Sequence, residues 1–218
     1  MKPQTCPITD SRIEDYAENH TSPESAELNQ LNRWVHLHTA QPRMISGAYQ
    51  GKFLEMISSM IAPKKAVEVG SFVGYSTVCL AKGVAEGGVL HAIEVNEEFE
   101  DLINHQLDKN GVSSVVTLHI GDAKTIIPHL EEPFDLAFID ADKPSTDLYY
   151  ELLLPKMKKG GFLLIDNILW SGKVVFEQPP TDKDTPILKA FNDKVQNDPR
   201  VENVLLPIRD GLMLCKVL

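Results

Sequence analysis

Ala66-Val67-Glu68-Val69-Gly70-Ser71-Phe72-Val73-Gly74-Tyr75-Ser76 is the stretch that decides the fold. A short apolar run ends in a glycine, crosses a small loop, meets a second glycine and enters a helical pattern. That is a β-strand, a turn of close backbone approach and a helix N-terminus, the arrangement with which α/β proteins seat an adenosine-containing ligand. A dinucleotide fingerprint would put glycine where Phe72 stands, and a P-loop would need a lysine after the second glycine. Neither phosphate-cradling reading is supported.

Outward from this stretch, strand and helix patterns alternate. Strands are expected over Ala66–Val69, Val89–Glu94, Val115–Ile120, Phe134–Asp140 and Gly161–Asp166. Helices are expected over Tyr75–Ala85, Glu97–Asn110 (with Gly111 just past its end), Ala123–His129 and Ser145–Met157. Such alternation builds βαβ units and a parallel sheet covered on both faces. Thr185-Pro186 is expected to cap a further helix, and Val201–Ile208 and Leu212–Val217 flank a turn too short for anything but an antiparallel pair. The fold class is therefore α/β, a Rossmann-like doubly wound sheet, mostly parallel, finished by a C-terminal antiparallel hairpin.

Residues 1–62 read as a helical N-terminal extension preceding the main domain, 63–218. Ser11–Asn19 is one short helix. Ser22-Pro23 offers a cap for a second, with Leu28, Leu31, Trp34 and Val35 on one face. A third, starting near Ser46, aligns Tyr49, Phe53, Met56, Ile57 and Met60 until Pro63. These stripes suit core or subunit packing. His36 and His38 do not share a helix face and read as surface residues. The loop 168–185 is long enough to suggest a functional role.

A net charge of −10 argues against a nucleic-acid-binding surface. Three widely spaced cysteines suggest no disulfide framework, no apolar run approaches membrane-spanning length, and the polar start Met1–Asp10 shows no signal peptide. A cytoplasmic protein is the simplest expectation.

Ligands of doubly wound sheets bind at the carboxyl ends of the strands. Those ends carry Glu68, Gly70 and Ser71; Glu94; Asp122 and Ala123; Asp140, Asp142 and Lys143; and Asp166 and Asn167. Glu94 follows the glycine turn at the distance where an acid accepts both ribose hydroxyls. The acidic pocket suits a cationic cofactor, such as one with a sulfonium centre, better than a pyrophosphate. Asp140, Asp166 and Asn167 offer hard oxygen donors of the kind magnesium or calcium takes. Each Asp also fits a cap or turn position. Lys143 reads either as an ion-pair partner of these acids or as a catalytic group.

Together the glycine stretch, Ile93-Glu94, Gly121-Asp122-Ala123, Phe138-Ile139-Asp140-Ala141-Asp142-Lys143 and Leu164-Ile165-Asp166-Asn167 resemble the cation-dependent class I O-methyltransferases, which include the caffeoyl-CoA and catechol enzymes. The resemblance implies a seven-stranded sheet and S-adenosylmethionine held by Glu68, Gly70, Ser71, Ser76, Glu94, Ala123, Asp140 and Asp142, with Ser46 closing over it. It implies a divalent ion (magnesium first, calcium or manganese as alternatives) on Asp140, Asp166 and Asn167. Lys143 would act as general base beside the acceptor, Asp140 would join it in catalysis, and Ser171 would line the acceptor pocket. The acceptor would be a small phenol, the chain a homodimer, and the N-terminal helices a lid or dimer surface; neither nucleic acid nor membrane is an expected partner. Pro144, directly after the lysine, is expected to restrain its approach. A nucleic-acid methyltransferase of the same fold is disfavoured by the acidic balance and by the lack of an Asn/Asp-Pro-Pro-aromatic motif after the fourth strand. A non-catalytic S-adenosylmethionine-binding protein is disfavoured by Lys143 and the intact metal set.

Overall fold

The computed structural model describes residues 4–131 and 133–218; Met1–Pro3, part of the polar start, lie outside the described residues. In chain order the elements are α1 (Ser11–Asn19), α2 (Ala26–His38), α3 (Gly47–Ile61), β1 (Lys65–Val69), α4 (Tyr75–Ala81), β2 (Val89–Glu94), α5 (Glu100–Lys109) and β3 (Val116–Ile120). There follow α6 (Ala123–Ile126), β4 (Phe134–Ile139), α7 (Thr146–Leu153), β5 (Met157–Asp166), α8 (Asp184–Gln196), β6 (Val201–Leu206) and β7 (Leu212–Val217). The seven strands lie in the order β3-β2-β1-β4-β5-β7-β6. β1 to β5 are parallel, and β7 runs antiparallel between β5 and β6.

Alternate side chains of the central strands feed two cores. Val67, Val69, Ile139 and Ile165 face α7 and α8, with Tyr150 and Phe191 in edge-to-face contact. Ala66, Phe138 and Leu164 face α3, α4 and α5 through Leu54, Val78 and Ile103. β1 and β4 are buried on both faces, as a doubly covered parallel sheet requires. The strand order reverses between β1 and β4, each growing outward on its own side, so their carboxyl ends open a crevice.

Several local expectations are corrected. The second helix is capped by Ser25, whose hydroxyl accepts the Leu28 N–H, rather than by Ser22. α4 ends at Ala81 instead of Ala85, and the chain turns through Gly83 against the Ser58 backbone. α7 stops at Leu153 because Pro155 has no N–H to continue it; Met157 then pairs with Phe134 and belongs to β5. α8 begins at Asp184, and the carboxylate that accepts the Thr185 N–H is Asp182. The apolar stripe of α3 predicts its inward face only in part: Phe53 and Ile57 pack against the core. Gln50, Gly51, Leu54 and Ser58 point inward, while Met56 is 58% and Met60 78% exposed. His36 and His38 are exposed, as expected.

α3 crosses α4 at close range because Gly51 of α3 leaves room for the Tyr75 ring and Cys79 of α4, and Gly83, just past the end of α4, abuts the α3 backbone at Ser58. A Cβ on Gly83 would lie 2.3 Å from the Ser58 carbonyl carbon. Gly83→Ala is therefore expected to destabilise the fold by about 1–3 kcal/mol, although alanine is the better helix former. Urea denaturation with an unchanged m-value would check this.

Candidate active site

The crevice between the ends of β1 and β4 widens into a cavity of about 1370 Å³, larger than one drug-sized ligand needs. Its floor is the glycine turn. Gly70 has φ +95°, and a Cβ there would stand 2.0 Å from the Asp140 carbonyl oxygen. Only glycine fits. Phe72, at the position a dinucleotide fold gives to glycine, takes φ +51° and packs edge-on against Phe99. Gly74 (φ +83°) starts α4.

Ser46, Gly70, Ser71, Ser76, Glu94, Ala123, Asp140 and Asp142 all line the cavity, as do Lys143, Asp166, Asn167 and Ser171. Glu68 does not. It lies fully buried behind the floor, where its Oε2 accepts hydrogen bonds from Thr77 Oγ1 (2.5 Å) and Ser71 Oγ (3.2 Å). Burial pushes its carboxyl up to about 7, against hydrogen bonds from Ser76, Thr77 and Ser71. Glu94 uses both oxygens to brace the turn, accepting the Phe72 N–H at 2.6 Å and the Asn96 N–H at 2.9 Å. Burial works to raise the Asp142 carboxyl, but hydrogen bonds from Ser145 and Tyr149 outweigh it and hold it below the usual range.

Three oxygen donors converge beside this floor. Lys143 Nζ lies 3.4 Å from Asp140 Oδ1 and 2.5 Å from Asn167 Oδ1, so the ammonium bridges two of the three residues expected to bind a cation. Pro144 forms part of a short 3-10 turn that begins at Lys143. Asp166 is 4% exposed; burial, and then the neighbouring Asp140 carboxylate, push its carboxyl up to about 7. A dication on the same oxygens would favour the ionised form. Among the described residues no three His, Cys, Asp or Glu side chains cluster as a metal site. The Asn167 amide is therefore essential to any such donor set, and its carbonyl chemistry suits a hard cation. Asn167 is held at φ +62°, a strained conformation for a non-glycine residue.

The cavity wall contains residues that the sequence reading passed over. Trp170 (φ +50°) presents an indole whose Nε1 has no partner among the described residues. Asp210 accepts the Ser171 N–H, and Arg209 donates from Nη1 to the Ile45 carbonyl at 2.8 Å, fastening the chain next to Ser46. The N-terminal segment crosses the loop after β5, with Cys6 N–H donating to the Ser171 carbonyl at 3.3 Å and Gln4 paired with Gln178. The loop 168–185 is thus tied to both the N-terminus and the β6–β7 turn. Arg209-Asp210-Gly211 is legible in the sequence as the turn of the closing hairpin but not as part of the cavity wall; nothing local marks the Cys6 contact.

Comparison with known proteins places the chain in a family. A profile of the O-methyltransferase family matches residues 18–218. Tricin synthase 2 of Oryza sativa subsp. japonica is 36% identical over 202 residues, 86% of this chain and 69% of that protein. A probable caffeoyl-CoA O-methyltransferase 2 of Dictyostelium discoideum is 31% identical, covering 93% of this chain and 90% of its own. Among solved structures, the O-methyltransferase TomG from Streptomyces achromogenes, in complex with SAM, superposes with a TM-score of 0.84 at 26% identity, covering 94% of this chain and 96% of that one. The chain belongs to the O-methyltransferase family.

Because the folded value of Glu68 lies above its ordinary 4.5, the native state holds that proton more tightly than the unfolded chain does. The associated stability is complete below the unfolded value and is lost as pH rises through about 7. Glu68→Gln should therefore melt close to wild type at acidic pH. At alkaline pH it should be more stable than wild type, by roughly 1–3 kcal/mol. Thermal melts on both sides of neutrality check the sign.

Proposed function

We propose that this protein transfers the methyl group of S-adenosylmethionine to a hydroxyl of a small catechol-like phenol, assisted by a divalent ion, most simply magnesium. The observation that carries the reading is the convergence of Asp140, Asn167 and Lys143 next to the glycine floor, with Asp166 one residue away. A cavity of this size accommodates a nucleoside donor and a small acceptor side by side.

In this reading Gly70 lets the donor approach the backbone, Glu94 receives its ribose, and Asp142 with Ala123 borders its base. The sulfonium supplies the electrophilic methyl. The acidic strand ends stabilise that positive charge before transfer. Asp140, Asp166 and Asn167 would hold the divalent ion, which supplies Lewis acidity to a phenolic oxygen. Lys143 is the group placed to receive the phenolic proton at Nζ as the oxygen–carbon bond forms and the carbon–sulfur bond breaks. Alignment supplies much of the rate, since a methyl group offers nothing to hydrogen-bond. Removal of the metal with EDTA, or Asp140→Ala, should abolish methylation of a catechol. Unchanged turnover in either case would contradict the metal assignment.

The cavity is also lined by Trp170, Tyr49 and Ile8, by the acids Glu14, Glu18 and Asp184, and by the basic Arg43, Lys124 and Arg209. The segment that covers it, residues 4–19, carries four acids against Arg12 alone, and Arg12 is engaged by Asp10. The acids of this segment favour neutral or cationic phenols over polyanionic thioesters on their side of the cavity. Steady-state kinetics should therefore give a kcat/KM for catechol or a catecholamine at least about tenfold above that for caffeoyl-CoA at low salt. A preference for the thioester would overturn this acceptor assignment.

A further inference from the structure

Gln50 is a buried polar residue on the inward face of α3, 2% exposed. Its Nε2 donates to Asp166 Oδ2 at 2.6 Å, across 116 positions of sequence. The other Asp166 oxygen, Oδ1, accepts the Asn167 backbone N–H at 2.7 Å. Both oxygens are thus fixed, one by the adjoining residue and one by a different element of the fold. A carboxylate oxygen has two lone pairs, so each keeps one for a further partner.

The residue type is informative. A leucine here would leave Oδ2 buried without a donor, and an ionised glutamate would add a third anion beside Asp166 and Asp140. A lysine would bring a positive charge that competes with a bound cation. A neutral amide pairs with Oδ2 and adds no net charge. The helix that carries it also begins at Ser46 in the cofactor wall, so one rigid element connects that wall to the far side of Asp166.

We infer that Gln50 is a positioning residue for the divalent ion, setting the Asp166 carboxylate so that its free lone pairs face the site shared with Asp140 and Asn167. This rests on the metal assignment proposed above. Residues that orient metal ligands in this way are worth about 10–100-fold in metal affinity.

The test is Mn2+ affinity of the full chain, read from the electron paramagnetic resonance signal of free Mn2+, with melting temperatures in parallel. Gln50→Leu, and Gln50→Met as a second variant that keeps the length and loses the donor, should bind Mn2+ about 10–100-fold more weakly than wild type. Ser58→Ala serves as the control. It removes another buried α3 hydrogen bond, from Ser58 Oγ to the Leu80 carbonyl at 2.6 Å, without touching Asp166. It should lower the melting temperature and leave Mn2+ affinity unchanged. Wild-type affinity in a folded Gln50 variant, or an equal loss in Ser58→Ala, overturns the inference and leaves the metal assignment standing. Failure of the wild-type chain to bind Mn2+ overturns both.

Discussion

The structure depends on one contact between backbones. The carbonyl oxygen of Asp140 occupies space that any side chain at residue 70 would need, 2.0 Å from the position of a Cβ. That approach lets the ends of β1 and β4 meet with no side chain between them. The Asp140 N–H continues the ladder to the Val69 carbonyl at 2.9 Å, so the two strand ends are locked together as the crevice opens. The floor at Gly70 and the strand end at Asp140 are thereby fixed relative to each other by hydrogen-bonded sheet.

Electrostatics follows from that geometry. Parallel strands deliver acids to one edge of the sheet, and several of these are buried. Each is compensated differently. Glu68 receives hydroxyl groups from α4 and its preceding turn, Glu94 receives backbone N–H groups, and Asp166 receives one N–H from each side. What remains uncompensated points into the cavity, where a positively charged donor and a dication would complete the balance. Lys143 is the chain's own cation in this group, and its reach to two donors shows how closely they are gathered.

The parts of the fold that were legible in the sequence are those where local and global requirements coincide. The strand–glycine–helix stretch, the alternation after it, the closing hairpin and the oxygen donors at Asp140, Asp166 and Asn167 are short-range signals in a regular context. Gly111 ends its helix with φ +68°, as its place after Asn110 predicts. The N-terminal helices were less legible because their apolar residues do not all face the core. α3 exposes Met60 and buries Gln50 and Ser58, since its inward face is set by hydrogen bonds to Asp166 and Leu80. Cys6 meeting Ser171, and Arg209 reaching Ile45, are long-range pairings with no local pattern. The Pro155 boundary was readable in principle, because a proline there removes the N–H the helix would need.

The central claim is that Asp140, Asp166 and Asn167 jointly hold a cation against the acceptor. A crystal of the chain soaked with Mn2+, S-adenosylhomocysteine and a catechol, measured at the manganese absorption edge, tests it directly. The account predicts one anomalous peak in direct coordination with all three residues and with both catechol oxygens. A peak elsewhere, or a catechol bound in the cavity with no ion on those three side chains, would contradict it.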